Sequence, residues 1–171
     1  MTHEETLVFA SHLRASPEQV WARATGLAGL DDELGPWLSF GAPPDCRDVE
    51  ALLVRARAGR PPRAVLRFAG VVPLVAWRVG IERFEPGHFV ERSPFPGLRV
   101  WQHDRTVRPV HGGAELVDRL TFEPLLAVLR RPARALVGAL FAHRHARLVA
   151  WWGGSRLSES SPSGTHVAVS S

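Results

Sequence analysis

Three side chains suited to proton transfer and ion pairing, His103, Arg105 and Asp118, flank a His111-Gly112-Gly113 turn. A fourth, Arg144, sits further on in an apolar stretch between His143 and His145. A histidine beside a carboxylate can act as a base with its orienting partner. An arginine opposite an aspartate can form a structural pair or anchor the polar end of a ligand. Register decides whether these groups meet. A two-residue loop, His111-Gly112 or Gly112-Gly113, makes paired positions sum to an odd number. One face then carries Trp101, His103, Arg105 and Val107 beside Leu116, Asp118, Leu120 and Phe122. The other carries Leu98, Val100, Gln102, Asp104, Thr106 and Arg108 beside Glu115, Val117, Arg119 and Thr121. The first set holds more large apolar groups and is expected to face the core. Arg105 lies directly opposite Asp118 with the first loop and diagonal to it with the second, and both arrangements allow contact. An unpaired buried charge costs several kcal/mol, about 3–5 when one partner is removed. Two readings follow: an internal ion pair with His103 as a satisfied core histidine, or polar groups that meet a ligand.

Pro132–Trp152 reads as one long helix, because proline suits a first helical turn and Leu136, Val137, Leu140, Phe141, Leu148 and Trp152 recur at helical spacing. Its apolar stripe should lie over the inward sheet face. Arg144 falls on that stripe, where the expected behaviour is to extend its head to a pocket rim. His143 and His145 point roughly 200° apart on a helix and cannot share a metal. Arg130, Arg131, Arg134, Arg144 and Arg147 could touch an anionic membrane surface, but a solvated helix face is the default.

The rest of the chain supplies the elements that position these groups. Glu4–Arg14 alternates as a strand, with Leu7, Phe9, Ser11 and Leu13 on one face. Ser16-Pro17-Glu18-Gln19 starts a helix with a capping box, and Val20, Trp21, Ala24 and Leu27 give it an apolar stripe. Leu30–Leu34 forms a second short helix before Gly35-Pro36. Asp48–Ala58 fits either a short helix or a poor strand. Arg63–Gly70 and Val75–Phe84 read as strands, the latter with Trp77, Val79 and Ile81 on one face, and His88–Ser93 as another. The serine- and glycine-rich residues 153–171 are expected to be a disordered tail.

A length of 171 residues fits one domain, placed at residues 1–152. No apolar run reaches the roughly 18–20 residues that cross a bilayer, and the acidic amino-terminal stretch does not resemble a secretory signal, so a cytoplasmic protein is expected. Cys46 is the only cysteine, which excludes an intrachain disulfide and a multi-cysteine metal site. Every Lys-or-Arg position is arginine; lysine, asparagine and tyrosine are absent, a bias of GC-rich, actinobacterial-type genes. Net charge is +4 with arginines scattered among the 17 acids, a poor footprint for nucleic acid. P-loop, GxGxxG, GxSxG, HExxH and CxxC patterns are all missing, so no cofactor or metal is expected.

The order of elements resembles the SRPBCC (START-like, Bet v 1-like) helix-grip superfamily. Pro96-Gly97 to Asp118, with Trp101, His103, Leu116 and Asp118, is similar to the "G-P-F-x-x-W-x-H-x-H-x-F … T-x-L-x-D" pattern of its cyclase/dehydrase-like branch. Phe141-Ala142-His143-Arg144-His145 resembles that branch's "F-x-x-R-H" element. Arg105, Val107 and Ala114 depart from the pattern, and Arg105 replaces its second histidine. The resemblance implies an α+β fold, a curved antiparallel sheet wrapped around a long C-terminal helix, with a hydrophobic pocket between them. The expected function is binding of a lipid-like or polyketide-like molecule, with Trp77, Val79, Ile81, Phe89, Trp101, His103, Arg105, Asp118, Leu120, Phe141 and Arg144 as candidate ligand-binding residues. The alternative is an aromatase/cyclase-type enzyme with His103 and Asp118 as catalytic candidates. A third reading is an interaction module whose cavity is filled, given six tryptophans.

Overall fold

Alternation builds β1 (Glu5–Leu13), whose Leu7, Phe9, Ser11 and Leu13 are all buried. The structure, a computed structural model, describes residues 4–157. The capping box forms as expected: Gln19 N–H donates to Ser16 Oγ and Ser16 N–H to Gln19 Oε1, starting α1 (Pro17–Thr25). Next come α2 (Leu27–Leu34), β2 (Leu38–Gly41) and α3 (Val49–Arg57). The Asp48 carboxylate accepts from Ala51 N–H at the start of α3, so a side-chain cap settles that segment as a helix. The strands β3 (Arg63–Phe68), β4 (Val72–Arg78), β5 (Ile81–Glu85), β6 (His88–Arg92), β7 (Leu98–Val110) and β8 (Gly113–Pro124) precede α4 (Arg130–Trp152) and β9 (Gly154–Leu157).

Two antiparallel sheets result. The larger has the order β5-β6-β7-β8-β1-β9 and the smaller β2-β3-β4. With the long α4 packed on the larger sheet, this is the α+β helix-grip architecture. The β7–β8 loop is His111-Gly112, pairing Val110 with Gly113 and Arg105 with Asp118. Gly112 takes φ 77°, which a residue with a Cβ adopts only at a cost.

Four expectations are corrected. Val75–Phe84 is not one strand: the chain breaks at Val79-Gly80, and β4 and β5 belong to different sheets. Gly80 makes this corner possible, because a Cβ there would collide with the Arg92 carbonyl oxygen. Leu98 does not face solvent. A register shift between Leu98 and Val100 turns it toward the cluster of Leu7, Phe9, Leu120, Phe122 and Phe141. Leu136 is 72% exposed, since the buried face of α4 runs through Phe141, Arg144, His145 and Leu148, with Val137 packed at its start. Leu136 lies about 100° around the helix from Val137. Finally, Gly154–Leu157 pairs with Ala10–Leu13 as a strand, while residues 158–171 of the expected tail lie outside the described residues.

Apolar burial falls into three clusters. One joins β1, α1, the turn end of β7 and β8, and Leu148. The second joins β1, β8 and Phe141. The third, around Cys46, Leu52, Ala64 and Val79, sits under the smaller sheet with Leu27, Phe40, Trp77 and Ile81 against it. Among the described residues, no helix is long and apolar enough to cross a membrane.

Candidate functional site

The hairpin register places Arg105 and Asp118 side by side, both fully buried. Arg105 grips the aspartate in bidentate fashion, Nε to Oδ1 at 2.7 Å and Nη2 to Oδ2 at 2.8 Å. It also grips Glu33 of α2, with Nη1 to Oε1 and Nη2 to Oε2 both at 3.1 Å, and reaches the Ala24 carbonyl. Arg144 of α4 donates to Glu33 Oε2 from Nε at 2.9 Å and Nη2 at 2.7 Å. Arg144 therefore does not extend to a rim. It is buried against its own carboxylate, with its guanidinium 4.6 Å from the Phe141 ring centroid. His103 Nε2 donates to Asp118 Oδ1 at 2.8 Å and His145 Nε2 to Asp118 Oδ2 at 3.1 Å. Ser11 Oγ donates in turn to His145 Nδ1 at 2.8 Å. His143, on the other side of α4, donates from Nε2 to the Gly35 carbonyl at 2.7 Å and ties the end of α2 to the helix.

Charge in this cluster is balanced, two guanidinium groups against two carboxylates. Burial pushes the Asp118 carboxyl up, but Arg105 and then His103 outweigh it and hold it well below the usual carboxylate range. Burial acts the same way on Glu33, and Arg105 with Arg144 brings it below its ordinary value. For Arg105, burial works against the charge, yet Asp118 and Glu33 raise it further. Burial lowers Arg144 despite the Glu33 carboxylate, and the group stays charged because guanidinium lies so far above neutrality.

Beside this cluster lies an apolar cavity of about 140 Å³. Of the sequence candidates, Trp77, Val79, Ile81, Phe89, Trp101, His103, Phe141 and Arg144 line it. Arg105 and Asp118 lie behind it in the ion cluster, and Leu120 belongs to the core under α4. Leu27, Leu30 and Leu34 of α2, Phe40, Leu66 and Phe95 complete much of the wall. Val79, just past the end of β4, and Ile81, the first residue of β5, both reach it from either side of the Gly80 corner. Trp77 Nε1 donates to Glu91 at 3.3 Å, and Ser93 Oγ to the same oxygen at 2.6 Å, so these wall polar groups are paired.

Glu33, Ser11 and His145 are the members that the sequence reading did not place in the site. Ser11 was legible as the one polar residue on the inward face of β1. Glu33 carried a fainter signal: it lies three residues after Leu30 and so shares the apolar side of α2. Among the described residues, no group of three or more His, Cys, Asp and Glu is arranged to hold a metal ion.

No curated protein matches this chain in sequence. Solved structures match it in shape. The Zhui aromatase/cyclase from Streptomyces sp. R1128 is similar with TM-score 0.65 and 11% identity, covering 87% of this chain and 93% of that one. A START superfamily protein from Mycobacterium smegmatis has TM-score 0.60 and 15% identity, covering 88% and 97%. Protein CV1439 from Chromobacterium violaceum has TM-score 0.62 and 16% identity, covering 88% and 99%. At such identities the likeness establishes the START-like, Bet v 1-like fold alone. The family described as "Domain of unknown function (DUF8410)" matches residues 11–152, from the middle of β1 to the last residue of α4. With that span covering nearly every element around the cavity, the chain belongs to the DUF8410 family, built on a START-like helix-grip fold.

Proposed function

We propose that residues 1–152 form one ligand-binding domain that holds a hydrophobic small molecule, lipid-like or polyketide-like, between the sheets and α4. The observation that carries this reading is the cavity itself, walled by Leu27, Phe40, Trp77, Phe89, Trp101 and Phe141. Such walls, with few placed polar groups, are the usual make-up of a small-molecule site. The volume of about 140 Å³ is close to the ~150 Å³ of an engineered cavity that accepts benzene. It therefore suits one ring or the end of a chain, and a drug-sized guest needs side chains to move aside. The existence of open volume weighs against a filled interaction module.

Thermal shift across fatty acids, aromatic polyketides and single-ring compounds tests the proposal. A ligand at about 100 times its Kd adds about 2.7 kcal/mol and should raise Tm by several degrees. Trp77 and Trp101 fluorescence should change with it. No stabilisation across these classes would overturn the reading.

A second reading, a cyclase-type enzyme, is supported by the 2.8 Å contact of His103 with Asp118 and by the shape shared with an aromatase/cyclase. In that scheme His103 exchanges the proton and Asp118 orients it. Asp118 itself already receives four hydrogen bonds, leaving it no role beyond orientation. Loss of turnover in His103→Ala with binding retained would support the enzyme; unchanged turnover would sink it.

A further inference from the structure

Asp118 fixes where the hydrogen sits on two histidine rings. An ionised carboxylate only accepts, and every nitrogen facing it must bring an N–H. His103 and His145 both face it through Nε2. The two carboxylates of the cluster are already balanced by Arg105 and Arg144, so no charge calls for a second hydrogen on either ring, and a neutral ring with its hydrogen on Nε2 keeps Nδ1 as a bare acceptor. The protein treats these two acceptors differently. It supplies the Ser11 hydroxyl to Nδ1 of His145, at 2.8 Å. To Nδ1 of His103 it supplies nothing among the described residues, where the ring's one hydrogen bond is to Asp118. Among the described residues the buried side-chain atoms without a partner are Arg23 Nε and Trp152 Nε1, and Nδ1 of His103, on a side chain 6% exposed, is not one of them. The ring lines the cavity, edge-on between Phe89 and Phe141 at centroid distances of 5.3 and 5.1 Å.

The cations beside the cavity are already matched, and Glu91, which also lines it, is a carboxylate whose Oε1 accepts, among the described residues, only from the neutral Trp77 and Ser93. Arg144 also lines it and, among the described residues, has no hydrogen bond from Nη1, but Glu33 neutralises its charge. A carboxylate entering here would find no unmatched cation and would lose its hydration.

We infer that the cavity selects a neutral guest bearing a hydroxyl group that donates to Nδ1 of His103, taking the place that Ser11 fills at His145. The inference rests on the ligand-binding reading above and names the chemical class that site prefers: small phenols or alcohols, in preference to carboxylates and ethers.

Four single-ring probes separate the two claims: toluene, p-cresol, 4-methylanisole and benzoate, measured by calorimetry or tryptophan fluorescence. Toluene reports the apolar cavity alone. p-Cresol should bind about tenfold more tightly than its methyl ether, the value of one well-placed hydrogen bond. Benzoate should bind more weakly than p-cresol. In His103→Phe the preference for p-cresol over the ether should vanish while toluene still binds. Equal affinity for phenol and ether, an unchanged ratio in His103→Phe, or tighter binding of benzoate would each overturn the inference and leave the cavity reading standing. Failure of all four probes would overturn both. Imidazole nitrogen NMR on the unmutated protein gives a check that needs no variant to fold: His103 should carry one hydrogen, on Nε2, and a hydrogen on Nδ1, alone or together with one on Nε2, overturns the inference.

Discussion

Asp118 and Glu33 are carboxylates held ionised in the core by Arg105, Arg144 and His103, which ties stability to pH with a definite sign. Their folded-state values lie below those of the unfolded chain. Their contribution is therefore complete above the unfolded values of about 3.9 and 4.3, and is lost as pH falls through the lower folded values. Tm measured against pH should be insensitive to these two groups above about pH 5 and fall steeply below about pH 4. A Tm that rises on acidification through this range would contradict the ion cluster. Glu33→Gln leaves Arg144 and part of Arg105 unmatched in the core, and urea unfolding should show a loss of about 3–5 kcal/mol. At this scale the sequence revealed Arg105 opposite Asp118, because strand pairing is a parity rule. Glu33 leaves only the faint signal of its place on the apolar side of α2, because its partners Arg105 and Arg144 lie 72 and 111 positions away. The burial of Arg144 is hidden for the same reason: with no counter-charge nearby in sequence, a guanidinium on an apolar stripe reads as one that extends to water.

Among the elements, those set by local rules were legible and those set by tertiary contact were not. The α1 start followed from Ser16, Pro17 and Gln19, and Ser16→Ala should cost about 1 kcal/mol in chemical denaturation, with Ser16→Gly milder. A change within error would show that the cap adds nothing to the tertiary packing of Val20 and Ala24. By contrast, β4 and β5 share one strand-like run of residues, and only the close approach of Arg92 to Gly80 shows where it bends. The four residues of β2 are too few for alternation to stand out, and β9 exists because β1 offers a free edge rather than because Gly154–Leu157 favours extension. On α4 the helical period and most of the stripe are legible, Val137 included, while Leu136, drawn into the same stripe, lies exposed beside the buried face.

For the molecule as a whole, the cavity depends on parts that the sequence could not bring together. The larger sheet lines it with Ile81 of β5, Phe89 and Glu91 of β6 and Trp101 and His103 of β7, and much of the remaining wall is α2 and the smaller sheet. The ion cluster spans α2, β7, β8 and α4, and should make these parts unfold together. Tryptophan fluorescence and far-ultraviolet circular dichroism should trace one coincident urea transition. A separate early phase in fluorescence, from Trp77 in β4, would mean that the smaller sheet detaches while the larger one holds. The same cluster also constrains how this core can change over generations. Every hydrogen-bonding position on Asp118 is occupied, and the groups that occupy them lean on Glu33 and Ser11 in turn. Replacing one member strands another in a dry interior. Related chains are thus expected to inherit Ser11, Glu33, Arg105, Asp118, Arg144 and His145 as a block or to have exchanged the block together for greasy residues, with few viable intermediates.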